Sequence, residues 1–511
     1  MAITRPDDVA DRPNVVLIVA DQWRGDALSC AGHPVVRTPI LDELAASGVR
    51  FDHAYSATPT CIPARAALLT GQSQERHGLV GYVEGIDFPR ANPVTLPGVF
   101  RDAGYQTHAI GKMHVWPERA RVGFDDVQLH DGFLHHARRE RRGHLEDIDD
   151  YVHWLRRQPG VGADEEYFDH GAGCNSIATR PWDKAEHLHP TNWITTTAGR
   201  FLERRDPTRP FFLYLSYHRP HPPYDPPAWA LEQFLAADEH RPLSGDWNGV
   251  WDAHRNDGGH QTSLGTMPDD MIRRARAGYY GAMAHVDLQI GRFLELLAQS
   301  HEAENTVVAF TSDHGEMLGD HDIYRKAVPY EGSARVPLII ADAPARARDS
   351  ARVSGALAEL RDVMPTLLDL AGVAVPETVD GRSLAEVVAG AADEAAAESG
   401  DVHREWLHGE HVYWGQSLHW MTDGRLKYIW GSGEGIEQLF DLAVDPGETH
   451  DLVAAGEAPD DLRRCRDALI DALRDRPEGF VTDGSLVTGR PVSAVLPHLR
   501  ERLAAQGAPV P

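Results

Sequence analysis

Several short segments place polar residues directly after apolar runs. Asp21-Gln22 follows residues 15–20, and Ser312-Asp313-His314-Gly315 follows residues 306–311. Two aspartates and a histidine so placed suit a divalent cation with mainly oxygen ligands. Gly111-Lys112-Met113-His114 follows residues 106–110, and His218-Arg219-Pro220-His221 follows residues 211–217. A lysine and several histidines there can supply an acid, a base and an anion-binding group. Taken singly, each has a plain alternative as a strand-end turn, a cap or a structural histidine.

One further segment runs Thr60-Cys61-Ile62-Pro63-Ala64-Arg65 and continues to Leu69-Thr70-Gly71. Pro63 suits a first helical turn, and residues 64–70 read as a short helix closed by Gly71. Cys61 then sits at a helix start, where the dipole favours negative charge, with Arg65 one turn on. In isolation such a cysteine is more often a small buried apolar side chain. The spacing to Arg65 is also too short for the loop of a cysteine-dependent phosphatase.

These residues need a frame that gathers them. Residues 15–20, 106–110, 211–217 and 306–311 read as buried strands, and 38–47 and 271–299 as helices. Continuous apolar strands separated by helices predict a large, mostly parallel sheet flanked by helices. Ligands of such sheets collect at the carboxyl ends of the strands, where the polar residues above lie. Toward the end, residues 419–422, 426–430 and 438–442 read as short antiparallel strands followed by a helix over 460–473. The expected division is a catalytic α/β domain over 1–385 and a smaller C-terminal subdomain over 386–511. Residues 124–190, poor in periodicity, read as an insertion near the site mouth, and 389–401 as a linker or solvated helix.

Composition narrows the function. The 511 residues carry a net charge of -27, which argues against nucleic acid or an anionic membrane as partner. An anionic substrate would need a local cluster of Lys and Arg against that field. Residues 1–11 are polar and the run 15–20 is too short for a signal core, so no secretory signal is expected. No stretch is long enough to span a bilayer. Cys30, Cys61, Cys174 and Cys465 form no CxxC pair, which fits a reducing cytoplasm.

Cys61-Ile62-Pro63-Ala64-Arg65 with Leu69-Thr70-Gly71 resembles the C-x-P-x-R signature of the sulfatase family. Other segments follow in that family's order. These are Ala20-Asp21-Gln22, Gly111-Lys112-Met113-His114, Arg219-Pro220-His221-Pro222, Ser312-Asp313-His314-Gly315, Lys326 with Tyr330-Glu331, and Arg335-Val336-Pro337. Gln438-Leu439-Phe440-Asp441-Leu442 resembles the family's C-terminal sheet. The resemblance implies an alkaline-phosphatase-like α/β fold with a smaller antiparallel subdomain. It also implies that Cys61 is oxidised to formylglycine by a formylglycine-generating enzyme. Asp21, Gln22, Asp313, His314 and the modified Cys61 would hold one divalent ion: calcium, with manganese or magnesium as alternatives. Gln22 stands where many relatives have a second Asp, and His314 where many have Asn. That combination is similar to choline-sulfatase-like and phosphonate monoester hydrolase branches.

The implied reaction is hydrolysis of a small sulfate ester. One hydroxyl of the hydrated aldehyde attacks sulfur, and His221, or alternatively Lys326, protonates the leaving oxygen. His114 takes the proton of the second hydroxyl, and Arg65 and Lys112 stabilise developing charge. The competing expectations are a phosphonate monoester or phosphodiester hydrolase using the same formylglycine, and a non-catalytic metal-binding relative. Trp116, Tyr217, His218, Tyr224, His408, Glu410, His411 and Trp414 are candidate lining residues, each equally compatible with packing. A homo-oligomer is left open.

Overall fold

The computed structural model describes residues 12–132, 147–161, 173–237, 241–257, 259–345, 352–390 and 403–508. Its main sheet contains β1 (Asn14–Asp21), β2 (Val49–Tyr55), β3 (Gln106–Gly111), β4 (Asp126–Leu129), β5 (Phe211–Pro220), β6 (Thr306–Ser312), β7 (Leu338–Ala341) and β8 (Arg352–Glu359). They lie in the order β4-β3-β5-β1-β6-β7-β2-β8. The sheet is parallel as expected, except that β7 runs antiparallel to both β6 and β2.

Every residue of β1 is buried, and its side chains alternate between two cores. Val16, Ile18 and Ala20 face one layer with Leu41, Trp193, Phe201 and Ile290. Those come from the helices Pro39–Ala46, Pro190–Arg204 and Asp269–Gln299. Val15, Leu17 and Val19 face the other layer with Ile62, Leu68, Leu96 and Leu367. Burying each such Val or Leu contributes about 1.5–3 kcal/mol, so register is strongly specified.

That register gathers the site. Ala20 of β1 pairs with Ser312 of β6, and Tyr217 of β5 pairs with the same Ala20. Gly111 of β3 pairs with Ser216 of β5. The carboxyl ends of β3, β5, β1 and β6 therefore finish side by side, presenting Lys112, His218–His221, Asp21 and Asp313. Gly111 is required there. Its φ is 98°, and a Cβ would lie 2.0 Å from the Ser216 carbonyl oxygen.

A second sheet, β9 (Leu407–Tyr413), β10 (Gln416–Thr422), β11 (Leu426–Gly431) and β12 (Glu437–Asp441), is antiparallel throughout in the order β12-β11-β10-β9. One face packs Tyr428, Trp430 and Leu439 on Cys465, Leu469 and Leu473 of the helix Pro459–Leu473. The other packs Leu418, Trp420 and Phe440 on Tyr55, Trp247 and Tyr330, joining the sheet to the α/β layer. The stretch 124–190 carries regular structure where it is described. It contains edge strand β4 and the helix Asp150–Leu155, whose Tyr151, Val152 and Leu155 are core residues. Residues 391–401 lie outside the described residues. No helix among the described residues is long and apolar enough to cross a membrane.

Candidate active site

Cys61 opens the helix Cys61–Thr70, entered from extended Thr60 and closed by Gly71 in the left-handed region. Every residue of this helix is buried. Cys61 Sγ lies 3.2 Å from His314 Nε2, 3.6 Å from Lys112 Nζ and 3.8 Å from Asp21 Oδ1. Burial, reinforced by Asp21, pushes the thiol up to about 11.

Arg65, one turn on and fully buried, ties the site together. Its Nε donates to Asp313 Oδ2 at 2.9 Å, and its Nη1 donates to the Lys112 carbonyl, Tyr214 Oη and Ser216 Oγ at 2.8–2.9 Å. Asp313 Oδ1 accepts the backbone N–H groups of Gln22 and His314, both at 3.1 Å. Lys112 pairs with Asp21, with both side chains inaccessible to solvent. Burial opposes the charge on Asp21. Lys112, His221, Arg65 and Lys326 together nonetheless hold its carboxyl well below the usual carboxylate range.

His314 is held neutral and in one tautomer. Burial pushes its imidazole down to about 4, so the ring is neutral. Its Nδ1 lies 3.0 Å from the Gly315 carbonyl, a bond that assigns the proton to Nδ1 and leaves a lone pair on Nε2. Nε2 stands 3.6 Å from Asp21 Oδ1 and 3.7 Å from Asp313 Oδ1. One ligand atom from each of Asp21, Cys61, Asp313 and His314 falls within 4.8 Å of the others. Two carboxylates, one aimed imidazole lone pair and the position-61 side chain fit a hard or borderline divalent ion.

Gln22 takes a bridging place. Its Oε1 accepts from Lys326 Nζ at 2.6 Å, and its Nε2 donates to Glu316 Oε2. Glu316, fully buried, carries no motif that marked it in the sequence. His114 is placed by backbone N–H donation to Asp131 Oδ1 at 3.1 Å, with its ring against Tyr82. His221 Nδ1 lies 2.9 Å from the Pro222 carbonyl. Burial first and Lys326 second push His221 well below its ordinary value.

A cavity of about 370 Å³ opens over Cys61. Lys112, His114, His221 and Lys326 line it, so the structure brings together all the residues read from the sequence as acid, base or anion binder on this side. Of the candidate lining residues, His411 reaches the cavity, with Nε2 2.9 Å from Thr60 Oγ1. Tyr217 and Tyr224 are core residues instead. His408 bonds Glu75, Glu410 bonds Arg476, and Trp414 stacks on His254. Tyr82, Cys174, Asn175, Arg325 and Tyr413 also line the cavity. Cys174 and Asn175 belong to the stretch 124–190 expected near the site mouth, whereas no sequence pattern marks Tyr82, Arg325 or Tyr413, whose distant segments meet only in the folded chain.

Comparison with known proteins agrees with this geometry. The family model for sulfatases matches residues 13–373, and that for the C-terminal region of N-sulphoglucosamine sulphohydrolase matches residues 319–474. The chain is similar to an arylsulfatase of Clostridium perfringens, at 42% identity over 96% of this chain and 100% of the relative. It is also similar to a multifunctional alkaline phosphatase superfamily protein of Trinickia caryophylli, at 31% identity over 73% of this chain and 76% of that protein. Among solved structures, a phosphonate monoester hydrolase of Agrobacterium radiobacter superposes with a TM-score of 0.68 at 26% identity, covering 94% of this chain and 100% of that one. With a strand-end acidic pair, a buried histidine and a C-x-P-x-R helix start in one cluster, this chain belongs to the sulfatase family of the alkaline phosphatase superfamily and is a sulfuric ester hydrolase.

Proposed function

We propose that the chain cleaves small sulfate esters to an alcohol or phenol and inorganic sulfate, using formylglycine made from Cys61 beside one divalent ion. The observation that carries this reading is the position of Cys61, at a buried helix start in contact with Asp21, Lys112 and His314 at once. A thiol raised to about 11 is a weak nucleophile at neutral pH. A hydrated aldehyde at position 61 would supply an oxygen nucleophile and a second hydroxyl through which sulfate is released. A divalent ion held by Asp21, Asp313 and His314, with Gln22 beside it, would supply Lewis acidity toward the sulfate oxygens.

The remaining roles belong to the chain's own side chains. Arg65 and Lys112 hold negative charge at position 61 and at the transferred group. Lys326, oriented by Gln22 and through it by Glu316, reaches the same group from the connection between β6 and β7. His221, its Nδ1 fixed on the Pro222 carbonyl, is the proton donor to the leaving oxygen. His114, set by Asp131, takes the proton that accompanies sulfate release. Calcium is our first choice of ion, with manganese favoured next by the imidazole ligand. Four unpaired cysteines support a reducing, cytoplasmic setting.

The test is sulfate release from 4-nitrophenyl sulfate by the metal-replete, modified enzyme, beside 4-nitrophenyl phenylphosphonate and bis(4-nitrophenyl) phosphate. The likeness to a phosphonate monoester hydrolase across 94% of the chain keeps phosphonate hydrolysis as a second reading. A higher kcat/KM on the phosphonate than on the sulfate would establish it over the first.

A further inference from the structure

The cavity over Cys61 is lined by three cationic side chains, Lys112, Arg325 and Lys326, and by no carboxylate among the described residues. The chain as a whole has 77 Asp and Glu against 50 Lys and Arg, so this lining is against the trend of its composition. Two of the cations are already engaged in the site. Lys112 pairs with Asp21, and Lys326 donates to Gln22.

Arg325 is placed differently. Its Nη2 donates to the backbone carbonyl of Gln261, and its Nε is buried without an acceptor among the described residues. No carboxylate among the described residues pairs with its guanidinium. None of its hydrogen bonds reaches Asp21, Gln22, Cys61, Asp313 or His314. A guanidinium that lines a cavity, with no carboxylate among the described residues pairing with it, is suited to a planar or tetrahedral anion.

The backbone fixes it there. Arg325 has φ of 70°, a conformation disfavoured for a residue with a Cβ. Its N–H donates to Glu316 Oε1 at 2.5 Å, and its carbonyl accepts from Met317 N–H at 2.7 Å. Glu316 is the residue that also holds Gln22, so the Arg325 backbone and the Lys326 side chain are anchored on one carboxylate. The rest of the wall includes Tyr82, Val412 and Tyr413. A cavity of about 370 Å³ accommodates one small ring.

We propose that Arg325 is a specificity-determining residue that receives a second anionic group on the organic part of a small, ring-bearing sulfate ester. This deepens the sulfatase reading and rests on it. The transferred sulfate is served by Lys112 and Lys326; Arg325 selects esters that carry a further carboxylate or sulfate.

The test compares 3-carboxyphenyl sulfate with its neutral isostere, 3-carbamoylphenyl sulfate, on wild-type and Arg325→Gln enzymes. Wild type is expected to favour the carboxylate at least about tenfold in kcat/KM, the scale of a charge-assisted bond. Arg325→Gln is expected to lose that preference, with less than a threefold effect on the carboxamide as an order-of-magnitude bound. Equal wild-type rates on the two esters, or equal losses on both in the variant, would overturn the proposal. Should neither ester release sulfate, the hydrolase reading fails separately. Calorimetric binding of the carboxylated ester to Cys61→Ala, with and without Arg325→Gln, then decides the subsite: weaker binding in the double variant supports it, and unchanged binding refutes it.

Discussion

Cys61 Sγ and His314 Nε2 stand 3.2 Å apart across 253 positions of sequence. The Gly315 carbonyl fixes the His314 tautomer, so the nitrogen facing Cys61 and the two aspartates carries a lone pair. Exhaustive chelation is therefore expected to abolish turnover, and calcium or manganese to restore it. Asp313→Asn should weaken binding of the ion at least about tenfold, read by calorimetry. Full activity after chelation would refute the metal assignment.

Arg65 holds Asp313, Tyr214, Ser216 and the Lys112 carbonyl from one guanidinium. Arg65→Ala leaves a buried carboxylate without its cation and is expected to destabilise the fold by about 3–5 kcal/mol in urea denaturation. Arg65→Lys keeps the charge but not the fork of donors, so it should recover part of the stability and little of the turnover. A loss below about 1 kcal/mol in the alanine variant would mean Arg65 does not organise the site.

Gly111 sets where Lys112 emerges from β3. Gly111→Ala places a methyl 2.0 Å from the Ser216 carbonyl oxygen at a φ of 98°. The variant is expected to lose about 2 kcal/mol or more and most of its kcat, because β3 and β5 must part where Lys112 N–H bonds Ser216. Wild-type melting temperature and kcat would contradict the close packing.

Acid should destabilise the protein well above the carboxylate range. His77 accepts from Leu79 N–H at Nδ1, and burial pushes it from 6.5 down to about 3. His411 is likewise pushed down to about 3 by burial. The unfolded chain takes up these protons first as pH falls below 6.5. Their contribution is thus complete above that value and is lost progressively toward about 3. Near pH 5 each costs about 2 kcal/mol relative to neutral pH. Urea midpoints measured from pH 7.5 to 5 should fall, and fall less steeply in His77→Gln. A flat profile in both would show these rings to be hydrated.

Much of the site was legible because its chemistry sits at strand ends. Asp21, His221 and Asp313 each follow an apolar run long enough to identify a buried strand, and Lys112 follows the mixed stretch 106–110. The helix start at Cys61 was marked by Pro63 and Gly71. Strands β2, β4, β7 and β8 have no clear signature in the sequence. β7 is four residues long, and β2 and β8 mix buried with partly exposed positions, so neither period stands out. β9 is not legible because Gly409 and two histidines interrupt its apolar pattern. Glu316 and Arg325 were invisible for a different reason. Their meaning lies in their partners, which include each other and the distant Gln22 and Gln261, and only the folded loop brings these together.

The most direct test is the identity of side chain 61 in fully active enzyme. Trypsin releases residues 51–65 as one peptide, and mass spectrometry distinguishes a thiol there from an aldehyde. The expected result is a formyl group in place of the thiol, captured by a hydrazide, in proportion to sulfatase activity across preparations. An alkylatable Cys61 thiol in fully active enzyme, with no aldehyde present, would contradict it.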